Sequence, residues 1–231
     1  MKPVYIVSWL FALAVSFVSC DDWLDKTPKD RLYPDVYFKT EDEFRLFTNQ
    51  FYNNLVPSAA DIYSESSDLI VKSDLMLEMS GQRIIPDEGN GWNFTALRDI
   101  NFYLQYSHNC TEVNARNRYD GVARFFRAYF YFEKVKRYGD IPWYDKALDS
   151  DDPELYKARD SREFVMQKML EDLDFAIANL PKTKNAYVLT RWTALALKSR
   201  VCLFEGTFRK YHGLEDYEKY LNACVSASET F

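Results

Sequence analysis

Residues 117–138 limit the fold of this chain more than any other segment. Apolar side chains recur through it at helical spacing and form a broad apolar face. They are Val122, Phe125, Phe126, Tyr129, Phe130, Phe132 and Val135. Gly139 follows, and glycine is the residue that most often ends a helix. The segment therefore predicts a long amphipathic helix that ends at Gly139 and leaves through Pro142 in an extended conformation.

The same periodicity appears in five further segments, residues 41–55, 94–107, 161–180, 190–205 and 215–231. Thr40 and Glu43 have the spacing of a capping box, and Ser161 is a suitable N-cap. The core-facing side chains of 161–180 are predicted to be Phe164, Met169, Leu170, Leu173, Ile177 and Leu180. Those of 190–205 are Leu195, Ala196, Val201, Leu203 and Phe204. No strand-rich stretch stands out, so the sequence predicts an all-α fold.

Two of these helices are predicted to end in the same way, one at Gly139 and the other at Gly206. The two glycines are 67 residues apart, which is close to twice the period of about 34 residues of tetratricopeptide repeats. Ala128 and Ala196 lie in mid-helix, where such repeats place small residues for close packing. We therefore expect tetratricopeptide-like helix pairs that stack on one another.

The first 19 residues predict a secretory signal peptide. A basic Lys2 precedes an uncharged apolar run over residues 4–18, which is too short to span a bilayer comfortably. Ser19 and Cys20 complete a lipobox, so we expect acyl chains on Cys20. A plain signal peptide followed by an accidental cysteine is the alternative. Residues 20–40 are predicted to form a lipidated tether to a helical domain over residues 41–231.

Composition excludes several classes of protein. The net charge is -6, which argues against nucleic-acid binding. Once Cys20 carries lipid, Cys110, Cys202 and Cys224 remain, an odd number without CxxC spacing. They predict neither a disulfide framework nor a zinc site, and we expect buried inert thiols.

No catalytic or metal-binding set can be assembled from the sequence. His108 and His212 have no assignable acidic partner, and no known hydrolase or phosphate-binding motif is present. Residues 149–152 form an acidic patch that lacks the spacing of an EF-hand calcium loop. The sequence therefore leaves calcium binding undecided. We therefore expect no enzyme activity and no cofactor, and apart from the open question of calcium we expect no metal ion.

Trp92 differs from the other aromatic residues because it lies beside Gly91 and Asn93, at the end of the irregular residues 56–90. A long irregular segment inside a compact domain is usually functional or disordered. The indole could stack on the apolar face of a sugar while nearby polar groups bind hydroxyls. Alternatively, it could close the rim of the core. The sequence leaves both interpretations open.

Four segments together resemble the SusD/RagB family of outer-membrane lipoproteins from Bacteroidetes. They are Cys20-Asp-Asp-Trp-Leu-Asp25, Trp92-Asn-Phe…Leu97-Arg98…Asn101…Leu104, Ala123-Arg124-Phe-Phe-Arg127-Ala128-Tyr-Phe-Tyr…Tyr138-Gly139-Asp140-Ile-Pro142, and Leu189-Thr190…Ala194-Leu-Ala196-Leu-Lys-Ser-Arg200-Val…Leu203…Gly206-Thr207. The third is the most specific. The chains of this family are much longer, so the resemblance implies that this sequence is an N-terminal part, truncated at its C-terminus.

The resemblance implies a non-enzymatic, surface-exposed lipoprotein that binds a nutrient and delivers it to a SusC-like TonB-dependent porin. The ligand would be an oligosaccharide or a peptide, with glycan favoured. The implied ligand site comprises Trp92 and Asn93, with Asp74 and Arg83 as polar partners. The motif residues assigned to folding and packing are Arg124, Arg127, Tyr138, Gly139, Asp140 and Pro142. A helical-repeat adaptor with only protein partners and a surface glycosidase are the alternatives.

Overall fold

The computed structural model describes residues 37–57, 80–82, 84 and 91–231. The predicted signal peptide, Cys20 and most of the irregular residues 56–90 lie outside the described residues. The helices are α1 Glu41–Leu55, α2 Thr95–Tyr106, α3 Val113–Tyr138, α4 Arg162–Asn179, α5 Arg191–Tyr211 and α6 Tyr217–Thr230. Pairing of β type within these ranges is limited to an isolated bridge between Ile141 and Asp160. The predicted all-α class is confirmed.

Helix α1 begins at the predicted capping box. The Thr40 hydroxyl accepts a hydrogen bond from the Glu43 N–H at 3.3 Å, and the Glu43 carboxylate accepts one from the Thr40 N–H at 3.0 Å. Just before this cap, Phe38 is fully buried. Its ring meets Phe47 and Tyr103 edge to face, with centroids 4.9 Å and 5.5 Å away. The end of the predicted tether is therefore part of the packed domain, because Phe38 belongs to its aromatic core.

Helix α3 is the central helix and contacts α1, α2, α4 and α5. It begins four residues before the predicted start, and it ends as predicted at Gly139, whose φ of +71° is a conformation that favours glycine. Most of its predicted apolar face is buried. Helix α4 returns antiparallel along it, with Leu180 opposite Gly121 and Asp172 opposite Arg127. This pair confirms helix-pair stacking as the principle of the fold.

A buried ion pair joins the helices at the middle of α3. Arg127 donates from Nε and Nη2 to the two carboxylate oxygens of Asp172, at 2.6 Å and 2.8 Å. Its Nη1 donates to the Asn101 side-chain oxygen at 3.3 Å. Asn101 in turn donates to the Tyr144 carbonyl at 2.8 Å. One arginine thus connects α2, α3, α4 and the segment that follows α3.

The segment after Gly139 is held against α3 by side chains that bind its backbone. The Tyr131 hydroxyl accepts a hydrogen bond from the Tyr144 N–H at 2.6 Å. The Trp143 ring stacks on Tyr131 with centroids 4.2 Å apart, and the Trp143 N–H donates to the Asp160 carboxylate at 2.7 Å. Asp140 accepts from the Arg162 N–H at 2.8 Å at the start of α4. The motif residues in this region therefore have structural roles.

A second buried ionic cluster joins the start of α4 to α5. Glu205 is fully buried, and its carboxylate accepts from Arg162 Nε at 2.7 Å and from Arg209 Nε at 2.8 Å. Burial raises the pKa of Glu205, and the hydrogen bond and positive charge of Arg162 oppose that shift. The two arginines satisfy both oxygens of a carboxylate that burial would otherwise destabilise.

The prediction that Gly206 ends a helix is wrong. Helix α5 continues to Tyr211, and the left-handed glycine beyond it is Gly213, with φ +66°. Gly206 lies inside α5 because α6 crosses it closely: a Cβ there would lie 2.7 Å from Leu221 Cδ2 and 3.2 Å from its backbone nitrogen. The spacing of 67 residues from Gly139 therefore relates two glycines with different roles.

Several other residues of the predicted core or packing faces are less buried than expected. Ala128 is fully buried as expected, but Ala196 is exposed. Phe164 and Leu203 are exposed as well, and Leu170, Ile177 and Phe204 are only half-buried. Each lies at the border of an apolar face, where helical periodicity alone does not fix which neighbouring helix covers it.

Replacing Arg127 with Met should strongly destabilise the fold, because it leaves the Asp172 carboxylate buried without its main partner. We expect the free energy of unfolding to fall by about 3–5 kcal/mol, measured by urea denaturation. Arg45→Met is the matched control, since the Arg45–Asp42 pair is largely exposed, at 54% and 81%. It should cost about 0.5 kcal/mol or less. Equal losses in the two variants would contradict the role given to Arg127.

Gly206→Ala and Gly121→Ala should change stability in opposite directions. At Gly206 the added methyl meets Leu221, and we expect a loss of about 1–2 kcal/mol. At Gly121 the closest atom, Leu180 Cγ, is at an ordinary contact distance of 3.4 Å. The alanine there should stabilise α3 by about 0.5–1 kcal/mol through its helix propensity. Thermal unfolding of both variants checks the signs, and stabilisation by both would contradict the close α5–α6 crossing.

Candidate functional site

An open pocket of about 370 Å³ lies between the start of α2 and the segment that follows α3. We call it the Trp92 pocket. It is lined by Trp92, Phe94, Thr95, Leu97, Arg98, Asn101, Tyr144, Lys146, Leu148 and Leu155. Its size and its mixture of aromatic, aliphatic and a few polar side chains are typical of small-molecule sites.

Trp92 lies at the mouth of this pocket and is 41% exposed. Its ring meets Phe94 and Tyr138 edge to face, with centroids 5.3 Å and 4.9 Å away. The guanidinium of Arg159 lies 5.0 Å from the ring centroid. These contacts hold the indole in place while much of it remains accessible to solvent. Trp92 thus packs on the rim of the core and also borders a pocket.

The backbone around Trp92 is fixed locally by its neighbours. Gly91 has φ +80°, and its carbonyl accepts a hydrogen bond from the Lys134 ammonium on α3. The Asn93 side chain accepts from the Thr95 N–H at 2.8 Å, at the start of α2. The turn before α2 therefore sets the position of Trp92 relative to the pocket.

Asn93 points elsewhere than the sequence suggested. Its side chain is used at the start of α2, and the residue lines a neighbouring open groove, not the Trp92 pocket. That groove also includes Asn54, Tyr129 and Glu133. Asp74 and Arg83, the other polar residues assigned to the site, lie outside the described residues. Trp92 is thus the predicted ligand residue that the structure places in the pocket.

Cationic side chains form the polar rim. Arg98 donates from Nε to the Leu148 carbonyl at 3.1 Å and lies 3.8 Å from Asp149. The Lys146 ammonium lies 3.0 Å from Glu154 and 3.4 Å from Asp152. The hydrogen bond to Glu154 raises the pKa of Lys146 above its usual value. These exposed side chains can offer N–H donors to a ligand at little cost in desolvation.

Tyr144 and Lys134, near the pocket, also have shifted pKa values. Burial raises the pKa of the Tyr144 hydroxyl, and the nearby Asp160 and Glu154 add to the shift. Burial and the neighbouring Arg137 lower the pKa of Lys134, while Glu133 opposes this. Among the described residues that line the pocket there is no Asp or Glu side chain.

Most of this pocket could not be found from the sequence. Phe94, Arg98, Tyr144, Leu148 and Leu155 come from two stretches about 50 residues apart, and they meet because Asn101 and Tyr131 fix the path after α3. The concentration of aromatic residues in 143–144, directly after a helix stop, was the available signal.

Outside the pocket, the two histidines and the acidic residues near 152 have local structural contacts. In the ranges that the structure describes, no group of three His, Cys, Asp or Glu side chains could hold a metal ion. His108 and His212 each contact a backbone carbonyl of their own helix region, at 2.9 Å and 2.7 Å. Asp152 accepts from the Glu154 N–H at 2.9 Å, as the cap of a short 3₁₀ turn. Among the helices of those ranges, none is long and apolar enough to cross a membrane.

Comparison with known proteins gives relatives of one kind. "SusD-like protein P38" of Formosa agariphila is 23% identical over 224 residues, which is 88% of this chain and 43% of the relative. "SusD-like protein P2" of the same organism is 26% identical over 218 residues, again 43% of its length. The chain thus spans less than half the length of the curated relatives that it matches.

A solved structure supports the fold. A SusD-like protein from Bacteroides fragilis superimposes with a TM-score of 0.61 at 24% identity, covering 88% of this chain and 40% of its own. A sequence model of a SusD-like family, described as starch-binding and associating with the outer membrane, matches residues 47–191. That range is more than half of the sequence and includes helices α2, α3 and α4 completely. The chain therefore belongs to the SusD-like family.

Proposed function

We propose that this protein is a lipid-anchored, surface-exposed binding protein that captures a glycan in the Trp92 pocket. It passes the glycan to a SusC-like TonB-dependent porin in the outer membrane. The family description, starch-binding and associating with the outer membrane, supports the ligand class and the location. The single observation that carries the proposal is the pocket itself, with a fixed and accessible indole at its mouth and cations on its rim.

The chemistry of a glycan fits this lining. The C–H faces of a sugar ring are apolar and can pack on the flat Trp92 indole, while its hydroxyls can accept hydrogen bonds from Arg98 and Lys146. Phe94 and Tyr144 extend the apolar wall inward. Among the described residues that line the pocket there is no nucleophile with a paired base and no pair of carboxylates, which glycoside hydrolysis uses. The protein then acts by binding and release, without turnover.

The anchor is proposed to be the lipid on Cys20. Several acyl chains together hold a protein firmly on a membrane, because each buried methylene contributes about 0.8 kcal/mol. Asp21 and Asp22 directly after Cys20 resemble the surface-export signal of this bacterial group. The anchored domain would then lie on the outer face, close to its porin partner.

Trp92→Ala should weaken glycan binding, because it removes the stacking surface. We expect affinity to fall by roughly 5–30-fold, the equivalent of about 1–2 kcal/mol, on a glycan array that includes starch oligosaccharides. Tyr187→Ala is the matched control, since Tyr187 is 91% exposed and does not line the pocket. Equal binding by wild type and Trp92→Ala would remove Trp92 from the site.

Cys20→Ala should release the protein from membranes and separate it from its partner. Wild-type protein extracted in mild detergent should co-purify with a large TonB-dependent barrel expressed with it. The unlipidated variant should be found in the soluble fraction. A wild-type protein that brings no barrel, with the partner present, would count against porin delivery. A variant that stays membrane-bound under the same extraction would contradict the lipid anchor.

A further inference from the structure

Helices α5 and α6 pack antiparallel with a register that two contacts define. At one end, the Ser199 and Ser228 hydroxyl oxygens are 2.7 Å apart. At the other, Gly206 lies directly against Leu221. The two contacts are seven residues apart on α5 and also seven residues apart on α6. The helices therefore keep the same register between them. Residues in the intervening turn of α5 therefore face residues in the intervening turn of α6.

That intervening layer contains two cysteines, Cys202 and Cys224. Cys202 follows Ser199 by three residues and precedes Gly206 by four, so all three lie on one face of α5. Cys224 occupies the corresponding place between Leu221 and Ser228 on α6. The Ser199 hydroxyl oxygen is 3.4 Å from Cys224 Sγ, which shows that Cys224 points towards α5.

The two helices approach each other closely one turn from this layer. Gly206 has no side chain, and a Cβ there would lie only 3.2 Å from the Leu221 backbone nitrogen. A disulfide requires Cα atoms roughly 4.4–6.8 Å apart, which helices this close can provide one turn away. Cys202 is fully buried in the interface and Cys224 is half-buried, so the second thiol is the accessible one.

We propose that Cys202 and Cys224 form a disulfide that links α6 to α5 when the protein is outside the cytoplasm. The oxidant is a disulfide donor, such as a periplasmic dithiol–disulfide oxidoreductase or oxidised glutathione. The Cys224 thiolate attacks a donor sulfur and releases one donor thiol, giving a mixed disulfide. Cys202 then attacks the Cys224 sulfur and releases the second donor thiol. Two cysteine thiols lose two protons and two electrons, and the donor disulfide becomes two thiols.

The environment of Cys202 orders these two steps. Burial raises the pKa of its thiol to about 11, and the nearby Cys224 adds to the shift. A thiol held protonated in this way is a poor first nucleophile. Cys224 has an exposed side and therefore reacts first. Cys110 is buried beyond the end of α2, outside this interface, and is expected to remain a thiol.

The link would matter most for α6. Among the described helices, α6 packs mainly on α5, and its contact with α4 is a hydrogen bond from the Tyr220 hydroxyl to Glu163 at 3.3 Å. A disulfide closing the α5–α6 turn restricts the unfolded chain and so favours the folded hairpin. Secreted proteins commonly use disulfides in this way.

Peptide mapping of the exported protein tests the proposal. The full chain is purified without reductant, alkylated in denaturant and digested with trypsin. We expect peptide 201–209 joined to the tryptic peptide that begins at Tyr220 and contains Cys224, lighter by two hydrogen atoms than the sum of the two, with Cys110 in peptide 99–116 alkylated. Cytoplasmic protein should acquire the same link only after treatment with oxidised glutathione. Alkylation of both Cys202 and Cys224 in the exported and glutathione-treated samples would overturn the proposal.

Single substitutions separate a specific link from general thiol oxidation. Cys110→Ser should keep the link, while Cys202→Ser and Cys224→Ser should lose it. Reductant should lower the unfolding midpoint by roughly 5–10 °C in wild type and Cys110→Ser, and leave Cys224→Ser unchanged. Cys224→Ser tests the idea even if the buried Cys202→Ser fails to fold. A link that includes Cys110, or an equal effect of reductant on Cys224→Ser, would also overturn the proposal.

Discussion

The Arg127 guanidinium and the Asp172 carboxylate meet in the interior, where both are almost completely buried. Such a pair stabilises a fold only when its remaining hydrogen-bonding groups are satisfied. Here the Asn101 side-chain oxygen accepts a third hydrogen bond from the guanidinium, and the Asn101 side-chain nitrogen donates to the Tyr144 carbonyl. One polar network therefore sets the positions of α2, α3, α4 and the chain after α3. The alternative, an unpaired charge in the aromatic core, would be strongly destabilising.

The Trp92 pocket is a consequence of this network. Leu97 and Arg98 on one of its sides belong to the same helix as Asn101. Tyr144 and Leu148 on the other side belong to the segment that Asn101 holds. The two walls are thus fixed relative to each other by a buried amide, and the pocket does not depend on a ligand to assemble. A site that is formed in advance loses less entropy when it binds.

Glycine has two different roles in this fold, and the difference corrected one prediction. Gly139 ends α3 because its positive φ favours glycine. Gly206 has ordinary helical geometry and is small because α6 lies against it. A sequence pattern shows both simply as a glycine after an apolar run. The same crossing brings Cys202 and Cys224 into one layer, although the odd number of cysteines had indicated inert thiols.

The sequence by itself determined the helical class, most helix boundaries and the family resemblance. Helical periodicity, the Thr40 capping box and the Ser161 N-cap are local properties that follow from the backbone and from neighbouring residues. The tertiary structure alone decided that Phe38 is core, that Leu203 is exposed, and that Trp92 meets Tyr144 and Leu148 around one pocket. Those facts depend on contacts between residues far apart in the chain, and periodicity carries no information about which helix covers which face.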